Sequence, residues 1–485
     1  MIISKEGMKE IEAASGLSSQ QLMERAGHAV AAFIQDTFPD AESVFIVCGN
    51  GNNGGDGLVV GDVLSKSMHV RICLLHGLPK TDEARQAYDQ LDPSLFCDDI
   101  QPAETADVIV DAVYGFGYHG VLDPATRSIF RQLNAYRHKI VSIDINSGCE
   151  CDSGACDRDG LTSVYTCALD CYKPFHMQRK EHHMFDHCIL LSLNIPHTIP
   201  SAYAEMDEEL FFSAFPAKQD SDYKGTNGKT LIIGGSYGMA GALCLNILGA
   251  KTIGTSYLMV GLHDCIYPIV ASRFVTPVFL PFHKENQTQT LKNAVSSAKV
   301  IACGSGWNNL DCKNEVLETI LQNAACPVIL DAEALRMLVN NTYLFRFVSV
   351  PLVITPHIGE FSALTGKPVE YILSHRQECA LQFARKYHMY VVLKGANTIV
   401  VSPEGDVYIN QSGCAALAQA GSGDLLTGMI AGMLTLKRDL FQGLCMAVWF
   451  HGYLSEYGLK YHSIQNFPLE CYPSVSNELF RKHQI

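Results

Sequence analysis

The sequence predicts an α/β protein that consists of two successive doubly wound domains. Short apolar runs, typical of buried strands, alternate with segments of helical periodicity along most of the 485 residues. This alternation stops between about residues 195 and 228, where prolines and glycines interrupt it, and then begins again. The chain is also long enough for two or three domains of roughly 150 residues each. We therefore place a boundary near residue 205, which gives domains of 1–205 and 206–485.

In the first domain, the elements follow one another in the order that a parallel sheet needs. Ser18 or Ser19 can cap a helix whose apolar side chains, from Leu22 to Phe33, share one face. The apolar pattern further predicts a helix over 58–64 and strands over 43–48, 69–75, 107–113, 140–145 and 188–193.

The second domain repeats this alternation without repeating the sequence. Strands are predicted over 230–233, 299–303, 328–331, 352–355, 390–393 and 398–401. Helices are predicted over 241–252, 313–323, 332–339, 376–387 and 423–436. Strands that alternate with helices favour a mostly parallel, doubly wound sheet in each domain.

Composition and charge restrict the classes of function. Apolar residues make up 47% of the chain and charged residues 18%, which is typical of a folded globular protein. The net charge of −14 argues against general nucleic-acid binding, which requires an excess of cations. No apolar run reaches the roughly 18 residues that span a bilayer, and the charged N-terminus lacks the apolar core of a secretion signal. We expect a cytoplasmic protein with no nucleic-acid or membrane partner, whose 18 cysteines are reduced.

A glycine-rich segment, Gly49 to Gly57, follows the first predicted strand and reads GNGNNGGDG. It satisfies the G-x-G-x-x-G pattern of dinucleotide-binding folds, but the second strand does not end in the acidic residue that would hold the ribose. Asp56 lies inside the segment, where its carboxylate would repel a pyrophosphate. We therefore favour a hard cation or substrate hydroxyls as the ligand, while a phosphate-bearing ligand at this helix start stays possible.

Two further acidic residues, Asp111 and Asp144, stand at the ends of predicted strands. Either one alone is more simply explained as a loop cap. Because ligands of open α/β sheets bind beyond the carboxyl ends of the strands, we expect both to converge with Asn53 and Ser147 in one site.

The segments LMERAG at 22–27, GNGNNGGDG at 49–57 and Asp-x-x-Ser-Gly at 144–148 together resemble the NAD(P)H-hydrate epimerase (YjeF N-terminal) domain, over about residues 1–205. This resemblance implies a Rossmann-like fold, a nicotinamide cofactor hydrated at C6 as substrate, and Asp144 as the acid/base. It implies a potassium ion held by Asn53, Asp111 and Ser147. It further implies that the substrate contacts Asn52, Asn53, Gly54, Gly55, Asp56, Gly115, Phe116, Gly117, Tyr118, His119, Gly120, Val121 and Asp144. Asn146 stands where the family usually has proline, whereas Lys173 matches the family's later lysine.

Six cysteines and four histidines lie between residues 149 and 188. None of these cysteines has the C-x-x-C spacing of common zinc modules. We interpret them as scattered thiols of a chain that is rich in cysteine throughout, rather than as a zinc site.

Four segments of the second domain predict a phosphate site: 234–242, 355–360, 393–398 and 420–426. They lie where predicted strands end or meet, or where a predicted helix begins, so their backbone amides can face an anion. In the last segment, glycines allow backbone amides to approach a phosphoryl group, and Asp424 can accept a proton from an attacking hydroxyl. Alone, Asp424 is better explained as an acid that stabilises a helix N-terminus. Beside Lys394 and the glycine-rich segments, the catalytic interpretation is favoured.

These segments resemble the ribokinase-like NAD(P)H-hydrate dehydratase family, over about residues 215–460. The motifs occur in family order at 223–225, 234–236, 331–335, 356–360, 394–396 and 421–424. The resemblance implies that Ala242, Gly306, His357 and Asp424 contact substrate, with Asp424 as the base. It implies that ADP or ATP, with magnesium, contacts Lys394, Gly395, Ala396, Asn397, Thr398 and Gly423. Trp307 lies in a CGSGWN segment that replaces the family's usual GPGLG.

Together the two resemblances imply a bifunctional repair enzyme. Its first domain would interconvert the R and S epimers of NAD(P)H hydrate, and its second would dehydrate the S epimer at the expense of ADP or ATP. We also expect a homo-oligomer. The alternative is a small-molecule kinase whose first domain serves only for binding or dimerisation.

Overall fold

The computed structural model describes residues 1–196, 203–339 and 348–485. These residues form two compact units, Met1–Tyr203 and Ala204–Ile485. Within the described residues, no helix is both long enough and apolar enough to cross a membrane.

The first unit contains a seven-stranded, wholly parallel sheet in the order β3-β2-β1-β4-β5-β6-β7. Its strands are β1 Ser43–Cys48, β2 His69–Leu74, β3 Phe96–Cys97, β4 Val108–Ala112, β5 Ile140–Ile143, β6 Ser163–Leu169 and β7 Phe185–Leu191. Its helices are α1 Lys5–Ala14, α2 Ser19–Thr37, α3 Asn52–Leu64, α4 Asp82–Asp89, α5 Pro102–Thr105, α6 Pro124–Leu133, α7 Pro174–Met177 and α8 Arg179–His182. The chain winds outward from β1 in both directions, so the crevice between the ends of β1 and β4 is the expected ligand site of such a sheet.

The predicted doubly wound sheet is confirmed, and most predicted elements lie within two residues of their observed bounds. Helix α3 is the main correction, because it begins at Asn52 rather than at residue 58. The glycine-rich segment is therefore mostly the first turns of this helix. A Cβ on Gly54 would collide with the carbonyl oxygen of Gly49, so glycine is what lets the helix start this close to β1.

Several strands of the first unit also differ from the prediction: β3 is missing from it, and β7 begins at Phe185 rather than at residue 188. Strand β5 ends at Ile143 rather than at residue 145, because Asp144 adopts a left-handed conformation with φ 62°. Strand β6 was absent from the sequence prediction, since Ser163, Tyr165 and Thr166 interrupt its apolar run. Ser163 and Thr166 are nevertheless fully buried, and they are satisfied by hydrogen bonds to the Asn146 side chain.

The second unit contains a nine-stranded sheet in the order β10-β9-β8-β11-β12-β13-β14-β15-β16. The pairs β14–β15 and β15–β16 are antiparallel, and the other pairs are parallel. Its strands are β8 Thr230–Ile233, β9 Leu258–His263, β10 Val278–Phe282, β11 Val300–Cys303, β12 Val328–Leu330, β13 Leu352–Ile354, β14 Met389–Leu393, β15 Ile399–Val401 and β16 Val407–Ile409. Its helices are α9 Glu208–Ala214, α10 Ala240–Thr252, α11 Tyr267–Arg273, α12 Gln287–Ser297, α13 Lys313–Asn323, α14 Glu333–Leu338, α15 Ile358–Thr365, α16 Val369–Ser374, α17 Arg376–Tyr387, α18 Ser422–Leu436, α19 Leu440–Gly458 and α20 Tyr472–Lys482. Strands β9, β10 and β16 are missing from the sequence prediction, and β10 contains Pro281, which the edge of a sheet tolerates.

Helices α10 and α18 pack closely, and their contacts fix the N-terminal end of α18. A Cβ on Gly249 would collide with the carbonyl oxygen of Leu425, and a Cβ on Gly428 would collide with that of Asn246. The Asn246 side chain also donates a hydrogen bond of 2.7 Å to the carbonyl oxygen of Asp424. The N-terminal turn of α18 is therefore held in one position.

Candidate functional sites

A cavity of about 620 Å³ opens beyond the carboxyl ends of β1, β4 and β5 in the first unit. Of the substrate-binding residues expected from the resemblance, those that line it are Asn52, Asn53, Asp56, Gly115, Phe116, Gly117, Tyr118, His119, Val121 and Asp144. Gly54, Gly55 and Gly120 are not among the lining residues. Gly54 and Gly55 are buried where α3 packs on Gly49 and Met23, so their observed role is to admit the helix. Glu12 and Lys173 also line the cavity.

The backbone of Asp144 is held in its left-handed conformation by His176. The Nε2 atom of His176 donates to the Asp144 carbonyl oxygen over 2.7 Å, while its Nδ1 atom accepts from the backbone N–H of Lys173 over 2.9 Å. Burial and the charge of Lys173 lower the pKa of His176 to about 4. The ring is therefore neutral, which matches one donating and one accepting nitrogen.

The Asp144 carboxylate forms a buried ion pair with Lys173, the Nζ–Oδ1 distance being 2.6 Å. Lys173 Nζ also donates to the carbonyl oxygen of Leu169 over 2.7 Å. Burial acts to lower the pKa of Lys173, but the Asp144 carboxylate outweighs burial and the pKa is raised. The other oxygen of Asp144, Oδ2, is buried and has no hydrogen-bond partner in the described part of the chain. It is the atom of this pair that remains available to a ligand.

Asp56 differs electrostatically from Asp144. Burial, together with the negative charges of Asp144 and Glu12, raises the pKa of Asp56 well above its usual range. Burial and the Asp144 carboxylate also raise the pKa of Glu12. Asp144 is thus paired with a lysine, whereas burial and like charges shift Asp56 towards the protonated form. Two neighbouring carboxyl groups in such different environments can take different roles in proton transfer.

Asp111 and Ser147 lie next to each other behind the cavity lining. Asp111 Oδ2 accepts the backbone N–H of Ser147 over 3.0 Å and the hydroxyl of Ser142 over 2.9 Å, and the Ser147 hydroxyl donates to Oδ1. Burial raises the pKa of Asp111, and no cationic side chain of the described residues pairs with it. Asn53 lines the cavity, and its Oδ1 atom lies 2.9 Å from the point where a Cβ on Gly115 would lie. Its Nδ2 atom is buried without a partner among residues that the structure describes.

Asn146 occupies the position at which the family usually has proline, and its side chain is fully buried. Its Nδ2 atom donates to Leu161 O and Ser163 Oγ, both over 2.9 Å, while its Oδ1 atom accepts from Thr166 Oγ1. The amide is therefore satisfied on both sides, and it ties the segment after Asp144 to β6.

In the second unit, Asp424 lies in the first turn of α18. The residue before this helix is Gly421, which is left-handed with φ 92°. Burial and the neighbouring Asp331 carboxylate raise the pKa of Asp424 to about 6. A carboxylate with a pKa near neutrality, close to a helix N-terminus, can accept a proton beside a bound phosphate.

The Lys394 side chain lies beside this turn. Its Nζ atom lies 3.0 Å from Asp331 Oδ1 and 3.3 Å from the point where a Cβ on Gly423 would lie. Asp331 also accepts hydrogen bonds from Thr355 and Thr427, over 2.7 and 2.9 Å. Burial would raise the pKa of Asp331, yet Lys394 and these hydroxyls outweigh it and the pKa is lowered. Asp331 thus fixes the position of the Lys394 ammonium group.

The remaining expected residues of the second unit are placed differently from one another. Gly306 is left-handed, and a Cβ there would lie 3.1 Å from the Cβ of the buried Ala242, so these two positions adjoin. His357 is exposed at the N-terminus of α15, where its Nδ1 atom accepts the N–H of Gly359 over 3.0 Å. Its backbone forms a parallel bridge with Lys394.

The segment after Lys394 forms a turn held by its own side chains. Gly395 and Ala396 are exposed, whereas the Asn397 side chain is fully buried and donates to the carbonyl oxygen of Asn410 over 2.8 Å. The Thr398 hydroxyl donates to the carbonyl oxygen of Gly395 over 3.0 Å. The backbone of Gly395 and Ala396 is therefore the exposed part of this turn.

Several residues of the two sites were absent from the sequence prediction or lacked a role in it. Glu12 comes from α1, a segment without any motif. Asp331 directly follows β12, and Asp111 is the penultimate residue of β4, so the strand-end argument could have found Asp331 as well. Trp307 is fully buried and therefore packs inside the unit.

Both units of the chain are similar to known protein families. The family described as YjeF-related protein N-terminus matches residues 19–175, and the NAD(P)H-hydrate dehydratase family matches residues 230–471. A bifunctional NAD(P)H-hydrate repair enzyme of Moorella thermoacetica is 28% identical over 461 residues, which cover 89% of this chain and 86% of that protein. An ADP-dependent (S)-NAD(P)H-hydrate dehydratase of Bacillus subtilis is 34% identical over 256 residues, covering 53% of this chain and 90% of that protein.

A solved structure supports the same relationship. The crystal structure of ADP/ATP-dependent NAD(P)H-hydrate dehydratase from Bacillus subtilis, co-crystallised with ATP and Mg²⁺, matches with a TM-score of 0.51 and 31% identity. The match covers 57% of this chain and 97% of that one. The chain therefore belongs to the NAD(P)H-hydrate dehydratase family and carries a YjeF-related domain ahead of its dehydratase domain.

Proposed function

We propose that this chain is a bifunctional enzyme of NAD(P)H-hydrate repair. The first unit epimerises R and S NAD(P)H hydrate, and the second dehydrates the S epimer to NAD(P)H with a nucleotide as phosphate donor. The observation that carries the proposal is that each unit holds an acidic residue among charged side chains: Asp144 beside Lys173 in the first unit, and Asp424 beside Asp331 and Lys394 in the second. The named activities of the relatives agree with one site for each reaction.

Epimerisation at C6 requires the hydroxyl to leave from one face and water to add to the other. The leaving hydroxyl must gain a proton, and the entering water must lose one. Asp56, whose pKa is raised by burial and by neighbouring charge, is the proton donor. Asp144 forms an ion pair with Lys173 through Oδ1, and its Oδ2 atom, which has no hydrogen-bond partner among the described residues, accepts the proton of the entering water. One water leaves and one enters, so the reaction needs no net proton source.

A monovalent cation, which we assign as potassium, fits beside this cavity. The ligands available are the Asp111 carboxylate, the Ser147 hydroxyl and the Asn53 amide, all suited to a hard cation through their oxygen atoms. The observation in favour is that Asp111 is buried without a cationic partner in the described residues, which is costly unless an ion compensates its charge. Ser147 accepts the backbone N–H of Tyr114 over 2.8 Å, so a cation there would also hold the loop that lines the cavity.

In the second unit, the nucleotide phosphates are expected at the N-terminus of α18, next to Gly423 and Lys394. Asp424 accepts the proton of the hydrate hydroxyl as its oxygen attacks the terminal phosphoryl group. The phosphate then leaves C6 with the C–O bond electrons while C5 loses a proton to solvent, and the C5–C6 double bond of the nicotinamide ring is regenerated. Magnesium would arrive with the nucleotide and be held chiefly by its phosphates, with Glu360 as the nearby carboxylate of α15. It would neutralise the charge of the transferring group.

The test is the recovery of reduced-nicotinamide absorbance from a mixture of both epimers, supplied with ADP or ATP. We expect complete recovery by the wild type, none by Asp424→Asn, and recovery limited to the S fraction by Asp144→Asn. Asp62, whose side chain is half-exposed, and the exposed Asp311, each changed to Asn, are the matched controls in the two units. A sample with dehydratase activity alone corrects for spontaneous epimerisation. Accumulation of a phosphorylated product without recovery would instead favour the kinase alternative.

A further inference from the structure

Two cysteines face each other just beyond the Asp144–Ser147 segment. Cys149 and Cys156 form an antiparallel bridge between two short stretches of chain. The hydrogen bonds that flank the bridge run from Glu150 N to Ala155 O and from Asp157 N to Gly148 O, each over 2.8 Å. The two cysteines are therefore a non-hydrogen-bonded pair, whose Cα atoms lie about 4.5 Å apart and whose side chains are close together on one face.

This register suits a disulfide. Cα atoms of bonded cysteines are usually about 4.4–6.8 Å apart, so the pair needs little backbone movement to be joined. The Cys149 thiol is already within hydrogen-bonding reach of the Cys156 thiol, and both pack in the cluster around Phe175. Cys151, two residues further, interacts instead with Asp144 and Lys173, so it is not an equivalent partner.

We propose that Cys149 and Cys156 are a site of reversible disulfide formation, by exchange with a low-molecular-weight disulfide such as oxidised glutathione. Cys156 is the partly exposed member and attacks first as its thiolate, forming a mixed disulfide and releasing one thiol. The Cys149 thiolate then attacks the sulfur of Cys156 and displaces the second thiol. The two cysteines lose two electrons and two protons, and the oxidant is reduced to two thiols.

The link would stabilise the segment that supports the substrate cavity. Ser147 lies just before the bridge, and Glu150, inside it, accepts the backbone N–H of Gly120 from the cavity loop over 3.2 Å. Closing a loop of this length in the unfolded chain is expected to raise the unfolding midpoint of the first unit by about 5 °C. This inference concerns the chemistry of the two thiols and does not depend on the proposed activities.

The test is oxidation of the full-length protein with oxidised glutathione, followed by alkylation and mass spectrometry. A protease that cleaves after Glu and Asp separates the three cysteines of this region, because Glu150 and Asp152 lie between them. We expect a fragment pair that joins Cys149 to Cys156, with the loss of two thiols and no bound glutathione. The pair should persist in Cys151→Ser and be absent in Cys156→Ala, which replaces a side chain that is only partly buried.

The thermal midpoint provides a second readout. Oxidation should raise it in the wild type and in Cys265→Ser, an exposed thiol of the second unit, and should leave it unchanged in Cys156→Ala. Fragments that join Cys156 to Cys151 or Cys188, or a mixed disulfide on Cys156 that does not resolve during hours of incubation, would overturn the proposal.

Discussion

Replacing Lys173 by methionine tests the electrostatic account of the epimerase site. The substitution keeps most of the volume and removes the ammonium group from a pair whose side chains are 1% and 4% exposed. Breaking a buried ion pair in this way costs about 3–5 kcal/mol, because the remaining carboxylate is buried without compensation. The Leu169 carbonyl loses one of its two donors as well and keeps the backbone N–H of Cys171. We therefore expect the first unit to be destabilised by about 4 kcal/mol and to lose epimerase activity.

The two tryptophans of the chain make this measurable. Trp307 and Trp449 both belong to the second unit, so fluorescence reports on that unit alone, whereas far-ultraviolet circular dichroism reports on both. The free energy of unfolding falls by about 2 kcal/mol for each molar of urea, so a loss of about 4 kcal/mol lowers the unfolding midpoint by about 2 M. This shift should be seen in the part of the circular dichroism change that has no counterpart in fluorescence, which is the unfolding of the first unit. The fluorescence transition itself should stay where it is.

The double variant Lys173→Met/Asp144→Asn decides whether the loss comes from the unpaired charge. A neutral amide does not need the ammonium group, so the double variant should recover at least 1 kcal/mol relative to Lys173→Met. A double variant no more stable than Lys173→Met, or a single variant destabilised by less than about 1 kcal/mol, would refute the reasoning.

Three other predictions follow from the same sites. Because the folded-state pKa of Asp56 lies above that of the unfolded chain, folding takes up a proton, and the stability that this proton confers is lost as pH rises. Asp56→Asn should therefore weaken the pH dependence of the free energy of unfolding, measured by denaturation between pH 5 and 8. The same variant should lower the rate of epimerisation about 10²-fold or more. Dehydration should accelerate as pH rises through about 6, the pKa of Asp424. Asp424→Asn should lower kcat by about 10²–10⁴-fold and abolish this pH dependence. A wild-type dehydration rate that does not change through this pH range would contradict the assignment. Asn146→Ala should cost about 2–4 kcal/mol in the first unit, because it leaves several buried polar partners unsatisfied, and a loss under 1 kcal/mol in urea titrations would show that they find other partners.

Local sequence pattern was sufficient for the fold class and for the bounds of most of the elements that it predicted. Apolar runs of strand length separated by helical periodicity determine a doubly wound sheet, because parallel strands are buried on both faces and need crossover helices. The same pattern placed Asp111, Asp144 and Asp424 at strand ends or a helix start, where α/β sheets bind ligands. Pattern failed where the environment decides the state, as in β6, whose polar residues are tolerated because Asn146 pairs with them.

The amino-acid sequence by itself therefore determined which chemical groups are present and which edge of each sheet they occupy. Only the tertiary structure decided their partners: Asp144 with Lys173, and Asp331 with Lys394, pairs that are 29 and 63 residues apart. It also brought Glu12 of α1 into the cavity and turned the Asn397 side chain inward. The physical reason is that the orientation and charge state of a side chain depend on neighbours distant in sequence, and these are known only once packing has brought them together.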